Sequence, residues 1–472
     1  MRLAALLQQF PPAITHGLQP YLGVDYTRIT HRPECLERRH LFVHLQKGVL
    51  TWPAGQVVLC RESLAGDQPM LVYPALEGTS QDMAIHLHQQ LRREMTFIAV
   101  TGTNGKSTVV DFTRQLLEAL QPAAKPASLG TLGLITRAGL QATHNTTPFP
   151  LDLWEHLHAA HAAGTRIVVM ETSSHGLDQN RLKGLRFKVA AFTNITRDHL
   201  DYHGDFETYV AAKRKLIGLT DEALVINDDC PVLSTFTHAN LPCTRFGLQD
   251  GNGGLRVANL QHNASGTSGV LHANGCNHPF TLSVLGLHNV SNALCAVGMT
   301  MALGHALPDI LPLLAGLRAP RGRLEPVATR AKGRVIIDYA HTPDALEKAV
   351  ASLRLHHPQC RINLLFGCGG NRDRGKRAIM GALAARLADG VYLTSDNPRN
   401  EDPAQILRDI QAGMGGYAPR AVQEDRTQAI LQALTELDGD EILLLAGKGH
   451  EDYQERQGRK VHMNEVEICQ SF

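Results

Sequence analysis

The chain has 472 residues, 43% of them hydrophobic and 19% charged, with 46 Lys and Arg against 45 Asp and Glu for a net charge of +1. That composition excludes a disordered chain, and the balanced charge gives no whole-chain attraction to nucleic acid or to an acidic membrane. The length exceeds the ~250–300 residues at which a single core stops growing, and no apolar run approaches the ~20 residues of a membrane span.

The first residues, MRLAALLQQFPPAIT, hold one basic residue and an apolar run broken by Gln-Gln, so no signal peptide is expected. The nine cysteines (35, 60, 230, 243, 276, 295, 360, 368 and 469) are odd in number and never spaced as C-x-x-C. Reduced thiols of a cytoplasmic protein are therefore expected, rather than a zinc site or a disulfide framework. A first block, residues 1–92, offers short strands at 40–43 (HLFV) and 56–59 (QVVL), and 82–93 (DMAIHLHQQLRR) predicts a helix leading out of it. A second block, 93–320, opens with a strand at 96–100 (TFIAV), a Gly-rich turn and a helix over 107–120. Strands follow at 166–170, 189–193 and 223–227; residues 245–283, rich in Gly, Asn, Ser and Thr, predict hairpins or loops at the sheet edge, and 289–303 returns to a helical pattern. The third block, 321–472, predicts strands at 334–339, 361–366, 390–394 and 441–446 with helices between. This alternation predicts an α/β protein with mostly parallel sheets. Ligands then bind beyond the carboxyl ends of the strands, where the unusual motifs fall.

The most informative motif is Thr101-Gly102-Thr103-Asn104-Gly105-Lys106-Ser107-Thr108, between a strand and a helix. Glycines let backbone N–H groups approach phosphate, the helix start adds a positive dipole end, Lys106 can reach the β/γ-phosphates and the Ser107 hydroxyl can bind Mg²⁺. Val100 stands where the general pattern G-x-x-x-x-G-K-[ST] has its first Gly, so the competing reading is a glycine-rich turn with a chance Lys-Ser.

TGTNGKS resembles the variant phosphate loop of the Mur ligase family, and of its relative folylpolyglutamate synthetase. The resemblance extends through HNTTP (144–148), METSSHGLDQNR (170–181), FTNITRDHLDYHG (192–204), AAKRKL (211–216), LHNVSNAL (287–294), RGRLEP (321–326), DYAHTPDAL (338–346), GCGGNRDRGKR (367–377), SDNPRNEDP (395–403) and AGKGHEDYQ (446–454), in the family's order. It implies a three-domain Mur ligase architecture: an N-terminal acceptor domain (1–92), a central P-loop-type mononucleotide-binding sheet (93–320) and a C-terminal Rossmann-like domain for the incoming amino acid (321–472). It also implies an ATP-dependent carboxylate–amine ligase working through an acyl phosphate, with small-molecule substrates, a monomeric state and a cytoplasmic location.

Carried onto this chain, the resemblance implies that Gly102, Thr103, Asn104, Gly105, Lys106, Ser107, Thr108, Asn292, Arg323 and Asp338 contact ATP. Two Mg²⁺ ions are implied, with Ser107, Glu171, His199 and Lys213 as ligands, the last as a carbamate (N6-carboxylysine). Lys106, Glu171, His199 and Lys213 form the implied catalytic set; by local sequence alone, Lys213 in YVAAKRKL is an exposed helical lysine. Thr146, Thr147, Ser173, Gln179 and Arg181 match acceptor contacts. Arg372, Asn397, Arg399, Gly447 and Glu451 match contacts to the incoming amino acid, and the family's D-N-P-R at 396–399 goes with meso-diaminopimelate.

The first block departs from the pattern. Thr30-His31-Arg32 stands where a D-S-R signature is usual, and a Gly–Asp-Gly segment is absent or shortened. Asn371 replaces a frequent Asp. Two readings stay open: meso-diaminopimelate addition to UDP-N-acetylmuramoyl-L-Ala-D-Glu with a diverged first domain, or a related amide-forming enzyme acting on another acceptor in specialised metabolism.

Overall fold

The computed structural model describes residues 1–32, 39–44, 56–62, 69–249 and 253–472. Cys35 lies outside these residues; the eight described cysteines are all free thiols. No described helix is long and apolar enough to cross a membrane. The chain divides into two compact units, Met1–Arg245 with Gly298–His305, and Phe246–Val297 with Ala306–Phe472.

The first unit carries two sheets. In the smaller, the strands Ile14–His16, Met70–Val72, Val58–Cys60, His40–Val43 and Arg28–Thr30 lie in that order, parallel except for the first. The strand expected at 56–59 is thus shorter, starting two residues later and ending one later. In the larger, Thr220–Asn227, Phe187–Phe192, Thr96–Thr101, Ile167–Glu171 and Ala127–Gly130 run parallel in that order. Ile98, Val100, Val168, Val169 and Ala190 are buried, as in a sheet covered on both faces. The strand Thr96–Thr101 sits between Ile167–Glu171 and Phe187–Phe192, where the chain switches from one side of the sheet to the other. Such a switch leaves a crevice at the strands' carboxyl ends.

The helix expected over 82–93 is in fact two, Leu76–Leu87 and Gln89–Glu94. His88 interrupts it: its ring stacks on Trp154 with centroids 5.5 Å apart. Trp154 lies on the helix Pro150–Ala162, started by a Pro at its first position. The same helix fastens the Thr30-His31-Arg32 segment. Thr30 donates to Glu155, Arg32 pairs with Asp152 and Glu155, and His31 Nε2 lies 3.6 Å from Asp152.

The second unit opens with an antiparallel meander, Leu255–Asn263, Gly266–Ala273 and Cys276–Leu282, in the segment expected to form hairpins. Its main sheet has six strands in the order Glu325–Val327, Arg334–Asp338, Glu441–Ala446, Arg361–Phe366, Gly390–Thr394 and Ala421–Gln423, parallel after the first. Three of the four expected strands keep their expected bounds, because fully buried parallel strands read as unbroken apolar runs.

A buried ion pair ties the carboxyl ends of this sheet together. Arg426, 1% exposed, donates through Nε to Glu465 at 2.8 Å, through Nη1 to Ser395 O at 3.2 Å and through Nη2 to Ala446 O at 2.9 Å. Those carbonyls end the strands that lead into residues 396–399 and 447–451. Removing one partner of such a pair strands a buried charge, at a cost of about 3–5 kcal/mol. Glu465→Ala is therefore expected to lower the calorimetric melting temperature by several degrees, and Arg426→Met with Glu465→Leu by much less. Equal melting of Glu465→Ala and the parent chain would contradict this role.

Candidate active site

The strand Thr96–Thr101 runs into Gly102, and the helix Lys106–Leu120 starts behind Gly105. Gly105 has φ +85°, a conformation that favours glycine. At Gly102 a Cβ would lie 1.9 Å from Thr193 Oγ1, so only glycine lets the loop pass so close to its neighbour. The loop is braced from that side. Thr103 N–H donates to Asn194 O at 2.8 Å, Asn104 N–H to Asn194 Oδ1 at 2.9 Å, and the Thr193 hydroxyl to Asn104 O at 2.6 Å. Behind it, the first turn of a 15-residue helix, with Ser107 and Thr108 buried, turns its backbone N–H groups and positive dipole end toward the loop.

Two ammonium groups meet one carbonyl in this loop. Lys106 Nζ donates to Gly102 O at 3.1 Å and to Thr103 O at 2.9 Å; Lys213 Nζ donates to the same Gly102 O at 2.8 Å. Lys213 is 2% exposed, on the helix Phe206–Arg214, which Asp205 caps through Thr208 N–H. The local pattern predicts an exposed lysine here; packing of the helix against the loop buries it instead. Burial, helped by the Lys106 cation, holds the Lys213 amine well below the usual lysine range. Among the described residues no carboxylate forms an ion pair with it.

Glu171 ends the strand Ile167–Glu171 and is 2% exposed. Its Oε1 accepts from the Ser107 hydroxyl and from Thr131 N–H, both at 2.8 Å, and Oε2 accepts from the Thr131 hydroxyl at 3.3 Å. Among the described residues no cation pairs with it. A hydroxyl and an uncompensated carboxylate this close are hard oxygen donors, which suit Mg²⁺ with phosphate oxygens completing its shell. No cluster of three or more His, Cys, Asp or Glu that could hold a metal by itself occurs among the described residues.

The expected acceptor residues adjoin this carboxylate. The Thr131 hydroxyl meets the Thr146 hydroxyl at 3.0 Å, and the Thr147 hydroxyl donates to Glu171 O at 3.0 Å while accepting from Ser173 N–H at 2.9 Å. Ser173 caps the short helix Ser174–Asp178. Arg181 donates to Thr147 O at 2.7 Å and to Gln179 Oε1 through two nitrogens, and lies 4.0 Å from the Phe149 ring centre. Gln179 in turn donates to the Tyr202 hydroxyl at 3.1 Å. His199 is half-exposed, at φ +51°, with its ring 3.5 Å from Asp198 and 4.9 Å, centre to centre, from His175.

In the second unit, Asp338 ends the strand Arg334–Asp338 and accepts from Leu324 N–H at 2.7 Å and Ala340 N–H at 2.8 Å. Burial raises its carboxyl above the usual range, against the pull of Arg323. The Arg323 guanidinium lies 4.9 Å from the Tyr339 ring centre, and Asn292 donates to Asn289 at 3.1 Å. The expected amino-acid residues cluster at the carboxyl ends of the same sheet. Asn397 Nδ2 donates to Glu451 Oε2 at 2.9 Å. Arg399, at φ +52°, donates to Glu455 at 3.2 Å and to Gly370 O at 2.9 Å. Gly447 has φ +110°, and a Cβ there would lie 2.8 Å from Asp396 Oδ2. Arg372 stands near them: a Cβ on Gly369 would lie 3.0 Å from Arg399 Nη1 and 3.7 Å from Arg372 Cγ. Asn371, the milder departure, sits at φ +52° and accepts from Asn400 N–H at 3.0 Å. Asn tolerates this left-handed conformation.

Sequence reasoning passed over Thr131, Asn194 and Lys448. Thr131 acts through backbone and hydroxyl contacts that no local pattern announces, whereas Asn194 had a signal, since it lies inside FTNITRDHLDYHG. Lys448 had a signal, since it lies inside AGKGHEDYQ between Gly447 and Glu451.

Residues 100–300 match the Mur ligase middle domain, and residues 322–449 match the Mur ligase, glutamate ligase domain. The UDP-N-acetylmuramoyl-L-alanyl-D-glutamate--2,6-diaminopimelate ligase of Pseudomonas syringae pv. tomato is 39% identical over 404 residues, which is 85% of this chain and 82% of that protein. The enzyme of the same name from Synechococcus elongatus is 40% identical over 490 residues, covering 99% of this chain and 98% of its own. A solved structure of a ligase of that name superposes with TM-score 0.66 at 28% identity, over 100% of this chain and 98% of that one. MurF from Acinetobacter baumannii shares the fold, with TM-score 0.70 at 18% identity over 94% and 95% of the two chains. By these matches over most of its length, the chain belongs to the Mur ligase family.

Proposed function

We propose that this chain is the ligase that joins meso-diaminopimelate to UDP-N-acetylmuramoyl-L-Ala-D-Glu at the expense of ATP, in the cytoplasm and as a monomer, with residues 1–92, 93–320 and 321–472 serving acceptor, ATP and amino acid. Relatives of that printed name, aligned over most of both chains, support the substrates. The observation that carries the chemistry is the meeting of Lys106 and Lys213 at Gly102 O, in the unit where Ser107 binds Glu171. Two lysine side chains converging on one carbonyl of a phosphate-loop turn make a site for an anion of high charge.

A carboxylate cannot expel oxide, so it must first be activated. Its oxygen attacks the γ-phosphorus of ATP, giving an acyl phosphate and ADP; the amine then attacks the acyl carbon, and phosphate leaves with the bonding pair. The protein's part is positioning and charge neutralisation. Lys106 and the N–H groups at the helix start hold the β- and γ-phosphates. Arg323 is the further cation proposed for phosphate, Asn292 and Asp338 the contacts to adenine and ribose. Thr146, Thr147, Ser173, Gln179 and Arg181 hold the acceptor so that its carboxylate meets the phosphorus. Asn397, Arg399, Arg372, Gly447 and Glu451 hold the amino acid by its far end.

Mur ligases use ATP and Mg²⁺. Ser107 and Glu171 would hold one ion, and His199 with a carbamylated Lys213 a second; bound there, Mg²⁺ supplies neutralisation of phosphate charge. The burial of Lys213 supports the carbamate. An amine kept neutral adds CO₂ at its lone pair and releases a proton, and the new anion relieves the crowding of Lys106 and Lys213.

One observation favours the second reading, a ligase for another acceptor: Thr30, His31 and Arg32 are all engaged by the helix Pro150–Ala162. Phosphate release with UDP-N-acetylmuramoyl-L-Ala-D-Glu and either meso-diaminopimelate or lysine, with mass analysis of the product, separates the readings. Turnover with meso-diaminopimelate and not lysine is expected; ATP binding without turnover on the UDP acceptor would favour the second.

Lys213→Ala is expected to abolish turnover, with partial recovery in a short carboxylic acid such as acetate; full activity in the unsupplemented variant would refute the carbamate. Arg399→Ala removes a charge-assisted contact of about 1.5–3 kcal/mol, so KM for meso-diaminopimelate should rise by roughly one to two decades. An unchanged KM would put the amine elsewhere.

A further inference from the structure

We propose that Lys448 is the positioning residue of the amino-acid site, setting the Asn397 amide and the Glu451 carboxylate so that the pocket takes an amino acid whose far end carries both an ammonium and a carboxylate. The inference rests on the diaminopimelate reading above and adds to it the residue that orients the selecting groups.

Lys448 follows directly on the strand Glu441–Ala446 and Gly447, and is 0% exposed. A buried ammonium is retained only where acceptors meet it. Its acceptors are Asn397 Oδ1 at 2.9 Å and Glu451 Oε2 at 2.6 Å, and the Tyr453 ring centre lies 5.1 Å away.

These contacts determine which way the amide faces. Lys448 Nζ and Glu455 N–H are both pure donors, and both reach the same Asn397 atom at 2.9 Å. That atom must be the carbonyl oxygen. The NH₂ group is thereby turned to Glu451 Oε2, at 2.9 Å. Glu451 Oε2 then has two donors, while Oε1 makes no hydrogen bond among the described residues and keeps its lone pairs for an incoming ammonium. Arg399 uses Nε on Glu455 and Nη1 on Gly370 O, which leaves Nη2 for a carboxylate.

The ion pairs around the pocket alternate in sign: Lys448 stands against Glu451 and Arg399 against Glu455. Paired charges of both signs suit a zwitterionic end, whereas a lysine-like end offers nothing to Arg399. Without Lys448 the Glu451 carboxylate loses its cation and its fixed orientation, and the amide is free to flip.

The test is steady-state kinetics on the full chain with Lys448→Met, Glu451→Gln and the double variant. Lys448→Met should raise KM for meso-diaminopimelate by roughly tenfold or more while leaving KM for ATP and for the UDP acceptor within about twofold. In the Glu451→Gln background the same change should raise KM by clearly less than its effect alone, because only the Asn397 contact is then left for Lys448 to set. Equal loss for all three substrates, or effects that multiply in the double variant, would overturn the proposal. Should Lys448→Met alone not fold, Glu451→Gln against the double variant gives the same comparison: a further rise well short of tenfold supports the proposal, and a full further tenfold rise, as roughly expected of independent roles, refutes it. Wild-type turnover without the split defeats the proposal alone; no wild-type turnover on meso-diaminopimelate defeats the substrate reading and the proposal with it.

Discussion

The first unit is organised around the carbonyl of Gly102. It accepts from both Lys106 and Lys213, with no carboxylate paired to Lys213 among the described residues. Bringing two ammonium groups to one oxygen costs repulsion and desolvation, and Lys213 responds by a lowered affinity for its proton. Everything near it serves to keep that geometry: Gly102 lacks the Cβ that would strike Thr193, Asn194 braces the loop, and Tyr209 supports both Thr103 and Lys213.

The second unit solves a related problem with the opposite balance. Its strand ends carry paired cations and carboxylates, Lys448 with Glu451 and Arg399 with Glu455, tied from below the loops by Arg426 and Glu465. Paired charges of both signs are the arrangement that the proposed zwitterionic amino acid requires. In both units the candidate site residues gather at the carboxyl ends of parallel strands.

Much of this is legible in the sequence, for identifiable reasons. The strands Arg361–Phe366, Gly390–Thr394 and Glu441–Ala446 are unbroken apolar runs closed by turn residues, so their bounds are predictable. The strands Arg28–Thr30 and Met70–Val72 are three residues long, too short for any period to stand out. The break at His88 follows from its stacking on Trp154, a contact sixty-six positions away that local propensity cannot contain. The burial of Lys213 has the same origin, since it comes from the distant loop at Gly102. The roles proposed for the site residues come only from the motifs' resemblance to a family; spacing alone leaves each of them an ordinary alternative.

The central claim is that the first unit activates a carboxylate by phosphoryl transfer. It is tested most directly by labelling both oxygens of the acceptor's reacting carboxylate with heavy oxygen and weighing the phosphate released. The account predicts one labelled oxygen in each phosphate, carried over when the amine displaces it from the acyl phosphate. Unlabelled phosphate from a reaction that still forms the amide would contradict it.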